Sequence, residues 1–162
     1  MKILVSGILF FGCMLAEAQM LSSEEMMKLI PEKISGYRKT EESRVNQLKI
    51  GNLSYSICQK GFSSGPKQIT ILLFDFKNAP IMYNQVTREW SAYETVESDS
   101  LLLRPIVEAN YFGWESNNQA IRSSKIFLGI SNRFYMAIDG KNVLLDDLRD
   151  VIKLFSLELF PE

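Results

Sequence analysis

Carboxylates are the main chemical resource of this chain, because its 162 residues include no histidine. Two groups stand out. Glu108 and Glu115 flank Tyr111-Phe112-Gly113-Trp114. Two carboxylates beside aromatic platforms are what a glycoside hydrolase uses, one as acid and one as base or nucleophile. Asp146, Asp147 and Asp150 form the second group, at the start of a helical pattern. There they complement the positive end of the helix dipole, and the spacing of an EF-hand calcium loop is absent. Strand-edge charges beside core aromatics are the commoner use of a pair such as Glu108 and Glu115. No residue is therefore assigned a catalytic role, and these two remain the candidates for a carboxylate-dependent hydrolase.

Without histidine there is no Ser-His or Cys-His pair. There is also no imidazole to ligate zinc, copper or haem iron. The two cysteines, Cys13 and Cys58, are too few for a structural zinc set. Neither G-x-G-x-x-G nor G-x-x-x-x-G-K-[ST] occurs, and G-x-S-x-G is also absent. No cofactor and no metal are expected. Eighteen basic residues against nineteen acidic ones leave no excess to neutralise phosphates, so nucleic acid is not expected as a partner.

Tyr111, Phe112 and Trp114 form a candidate ligand pocket. On a strand, Phe112 and Trp114 share one face and Tyr111 points to the other. Gly113 between them lets a ligand or another backbone approach. Core packing is the competing use of such rings.

The elements that must position these residues follow from periodicity. Ser22 with Glu25 three residues later fits a capping box, and Pro31 ends the short helix that it opens. Arg44 to Ile50 and Leu53 to Lys60 read as strands joined by Gly51-Asn52. Gly61 to Pro66 reads as a loop. Lys67 to Phe76 is apolar on both faces, which predicts a central strand covered on both sides. Asn78-Ala79-Pro80 starts a helix carrying Met82, Val86, Trp90 and Tyr93 on one face. Leu101 to Val107, Tyr111 to Glu115, Gln119 to Ser123, Lys125 to Ile130 and Arg133 to Asp139 read as strands, the last two turning at Ser131-Asn132. A final helix from about Leu144 carries Leu144, Leu148, Val151, Ile152, Phe155 and Leu159 as its stripe. Hairpins joining most strands predict an antiparallel sheet of about six to eight strands with two main helices. This is an α+β fold, either an α-β-α or a two-layer sandwich.

The N-terminal residues address the chain. Lys2 precedes an apolar run from Ile3 to Leu15, and Ala16-Glu17-Ala18 supplies small residues before Gln19. That is the pattern of a secretory signal peptide cut between Ala18 and Gln19. It divides the chain into a signal peptide (1–18) and one domain (19–162). The run is shorter than the ~20 residues a membrane span needs, so no transmembrane segment is expected after cleavage. The expected location is periplasmic or secreted, with lipidation of Cys13 as the alternative. Cleavage leaves Cys58 alone, so no internal disulfide is expected. In its apolar strand, Cys58 reads as a small packing residue.

The stretch Leu29-Ile30-Pro31-Glu32-Lys33-Ile34-Ser35-Gly36-Tyr37 resembles the opening of small exported bacterial proteins of unknown function. The Asn132-Arg133-Phe134 strand, the Asp139-Gly140-Lys141-Asn142 turn and the closing helix are similar to their C-terminal half. The resemblance implies no catalytic residue. The element order also resembles the Mog1/PsbP-like α-β-α sandwich, which implies binding and accessory roles. The expected function is thus a non-catalytic binding or accessory module of the bacterial envelope, contacting a protein partner or a small apolar ligand. A carrier of an apolar ligand and a carboxylate-dependent hydrolase are the alternatives.

Overall fold

Strict alternation of buried and half-exposed side chains runs through the central strands. It arises because one face of the sheet is fully covered and the other is not. The structure is a computed structural model that describes residues 20–40 and 43–161. The expected cleavage between Ala18 and Gln19, and Cys13, lie outside the described residues.

A short helix, α1 (Ser23–Leu29), comes first and is followed by β1 (Arg38–Lys39), β2 (Arg44–Ile50), β3 (Leu53–Ser64) and β4 (Lys67–Asn78). Helix α2 (Pro80–Thr87) and a 3-10 turn at Trp90–Ala92 separate these from β5 (Val96–Glu97), β6 (Leu101–Val107), β7 (Tyr111–Asn118), β8 (Ser123–Ile130) and β9 (Phe134–Lys141). Helix α3 (Leu145–Ile152) and a 3-10 turn at Leu157–Leu159 close the chain. The nine strands form one sheet in the order β1-β3-β4-β9-β8-β7-β6-β5, with β2 also paired to β3. Every pairing is antiparallel. The α+β class therefore holds, with more sheet than the sequence suggests.

Ile69, Ile71 and Leu73 of β4, Ile126, Leu128 and Ile130 of β8, and Phe134, Met136 and Ile138 of β9 build the main core. Met26 and Ile30 close one side of it, and Leu145, Leu148 and Val151 of α3 close the other. On the opposite face, Phe76, Ala79 and Tyr83 form a small second cluster. Strand β4 is central as expected, but Leu72 and Phe74 on its second face are only half-buried. Phe74 packs against the small cluster that includes Tyr83 of α2.

Several local readings change. Gly61 to Ser64 continue β3 rather than forming a loop, and Phe62 enters the core at 1% exposure. A side chain at Gly61 would collide with Thr40 on the neighbouring chain segment, at 2.5 Å. Gln119 to Arg122 form the β7–β8 turn, not a strand, and Arg122 adopts a left-handed backbone. Helix α2 ends at Thr87, whose hydroxyl donates to Tyr83 O at 2.9 Å. Its buried side is thus Ala79, Tyr83 and Thr87, and Val86 is exposed. Leu144 is the N-cap of α3 and Leu159 lies beyond its end, both largely exposed, so Leu145 takes the place expected of Leu144. The Ser22–Glu25 capping box forms as read. So does the β8–β9 turn: Ser131 and Asn132 both have positive φ, and Arg133 N–H donates to Ile130 O.

Candidate functional site

Strand β7 distributes its aromatic residues to both faces. Tyr111 packs against the main core. Trp114 turns to the second face, where it stacks on Phe127 with ring centres 4.4 Å apart and meets Tyr93 edge-on at 6.0 Å. Phe112 lies on that same face, 5.7 Å from Trp90. The contacts continue across the sheet from Phe127 to Tyr135, from Tyr135 to Phe74, and from Phe74 through Phe76 to Tyr55. A band of rings thus crosses the second face from β3 to β7. Burial raises the hydroxyls of Tyr83 and Tyr135 to about 12. Tyr83 Oη and Trp114 Nε1 are buried with no hydrogen-bond partner among the described residues, so ring and apolar contacts hold this layer.

Gly113 permits the approach of another backbone. A Cβ there would lie 1.8 Å from Phe127 O on β8. Tyr111 faces the main core whereas Phe112 and Trp114 share the second face, as a strand's period of two predicts. Tyr111 and Phe112 line a cleft of about 420 Å³ beside the β6–β7 and β8–β9 turns, together with Glu108, Asn132 and Glu158. Trp114 stands on the second face instead. Beside it, Leu72, Ala137 and Phe127 are half-buried at adjacent positions of β4, β9 and β8. They form a row of apolar side chains on the second face, met at its Trp114 end by Tyr93.

Glu108 and Glu115 line one cleft of about 320 Å³ between α3 and strands β6 and β7. Glu115 is only 3% exposed and is held from two sides. Arg149 donates from Nε and Nη2, at 2.9 and 2.6 Å, and Arg104 from Nε at 2.7 Å. Arg149 also pairs with Asp146. Burial pushes the Glu115 carboxyl up, but the hydrogen bonds from Arg149 and Arg104 outweigh it and hold the group below the usual range. A carboxylate held ionised in this way is a poor general acid.

The aspartates of α3 are distributed among separate cations. Asp146 pairs with Arg149, Asp147 with Lys67 at 3.2 Å, and Asp150 with Lys153 at 2.7 Å. Among the described residues, no group of three or more Cys, Asp or Glu side chains converges as a metal site. Cys58 is free and fully buried, and burial raises its thiol to about 11. Sequence reading missed the Arg104–Glu115–Arg149 clamp, because its members come from β6, β7 and α3. It also missed Lys60, which is fully buried, and the Asp75–Arg133 pair. A charged residue inside an apolar strand is the only sequence signal for either.

No protein family, curated protein or solved structure was found to match this chain. No helix among the described residues is long and apolar enough to cross a membrane.

Proposed function

We propose that this chain is an exported, non-catalytic binding or accessory module whose partly covered second sheet face contacts apolar side chains of a partner protein. The observation that carries the reading is the apolar row Leu72, Ala137, Phe127 and Trp114, which neighbouring strands place side by side and leave only partly buried. An antiparallel sheet that turns one face to water usually lines it with polar residues. An apolar face left open marks an interaction surface. The clamped Glu115 supports binding over acid–base catalysis, since both its oxygens are occupied by arginines.

The contact is tested by photocrosslinking from position 137 in producing cells, with position 153, just after α3, as control. A single adduct from 137, reproduced with the purified partner, is expected. Equal adducts from both positions, or none from 137, overturn the reading. Export is tested by intact mass. A chain beginning at Gln19 supports it, whereas an intact N-terminus in every cell fraction rules out the cleavage.

A further inference from the structure

We propose that α1 is a strap that opens independently of the rest of the fold and is latched by Lys60. Lys60 is 0% exposed. Its Nζ donates to Met27 O at 2.8 Å, to Ile30 O at 2.7 Å, and to the Glu32 carboxylate. All three acceptors lie at the end of α1 or just after it. The ammonium therefore satisfies carbonyls that a helix end leaves without partners, and it fixes where α1 sits on β3.

Other features make α1 separable. It has seven residues, fewer than an isolated helix needs to persist in water. It rests mainly on β2 and β3, at the edge of the sheet. Within α1 only Met26 is buried, with Ile30 and Ile34 buried just after it. Pro31 and the positive-φ Gly36 follow it, giving a turn on which it can swing once Leu21 N–H, at its other end, releases Asp75. Cys58, Lys60 and Phe62 occupy alternate positions on one side of β3, all buried. Lifting α1 uncovers Lys60 together with its neighbour Cys58.

Cys58 is thus a built-in reporter. The full chain is incubated with a small thiol reagent under native conditions and low denaturant, and labelling is read at Cys58 by peptide mass. Labelling is expected through a local opening whose denaturant dependence is less than half that of global unfolding. Lys60→Met is expected to speed it at least tenfold. Glu32→Gln, at a largely exposed position that leaves the core intact, is expected to speed it about threefold. Labelling that follows the full denaturant dependence of global unfolding overturns the proposal. So does an unchanged labelling rate in Glu32→Gln.

Discussion

Single residues here are decided by what presses against them. Gly113 is the clearest case, since Phe127 O occupies the place of a side chain. Gly113→Ala is expected to cost more than about 3 kcal/mol, as overpacking against backbone does. A denaturation midpoint equal to that of the parent would refute the β7–β8 approach. Asp75 is 0% exposed and receives Arg133 at 2.7 Å as well as the amides of Leu21 and Lys77. Asp75→Asn weakens the charged hydrogen bonds that this buried carboxylate accepts from Arg133, Leu21 and Lys77, and about 1.5–3 kcal/mol of stability should be lost. Equilibrium unfolding in urea measures this. Glu115→Gln should lower stability by about 2 kcal/mol, because charged hydrogen bonds from two partly hydrated arginines are weakened. Were Glu115 instead only a catalytic acid, the same variant would melt like the parent.

Elements were legible where local signals agree with burial, and less so where packing decides. The α1 capping box and the β8–β9 turn follow from Ser22, Glu25, Ser131 and Asn132 alone, because capping and left-handed turns are local chemistry. The ends of α2 and α3 do not. Leu144 and Leu145 are the same residue type, and only the direction from which β8 and β9 approach α3 selects Leu145 for burial. Leu148→Ala, at a fully buried position, should cost about 2–5 kcal/mol. Leu144→Ala should stay within about 0.5 kcal/mol of the parent. Thermal denaturation of both variants checks the helix phase, and a reversed order would place the stripe where the sequence alone suggests.

For the molecule as a whole, stability should form a plateau bounded by paired carboxylates at the acid end and by buried thiol and phenol groups at the alkaline end. Glu32 is held below its ordinary value of 4.5, chiefly by the hydrogen bond from Lys60, and Glu115 is also lowered. A depressed carboxyl stabilises the fold above its unfolded pKa, and that contribution is lost as pH falls through the folded value. Acid destabilisation should therefore set in below about pH 4.5 and be shallower in Glu115→Gln. At the alkaline end the sign reverses. Cys58, raised from 9.0 to about 11, and Tyr83 and Tyr135, raised from 10.0 to about 12, are favoured neutral in the fold. Their contribution is complete below pH 9 and is lost as pH rises towards 12. Urea midpoints across pH 3 to 12 test both limits; a flat acid limb would remove Glu32 and Glu115 from the account.

The sequence by itself determined the α+β class, most strand positions and the antiparallel connections, because alternation, turn residues and caps act over a few neighbouring residues. It also determined that histidine chemistry is closed to this chain. Tertiary structure alone decided the rest. It joined Arg104, Glu115 and Arg149 from three elements, and it buried Lys60 beneath α1. It chose the partners of Trp114, which stacks on Phe127 and meets Tyr93. These outcomes depend on strand order and on how far each helix reaches across the sheet. Neither is encoded in the spacing of neighbouring residues.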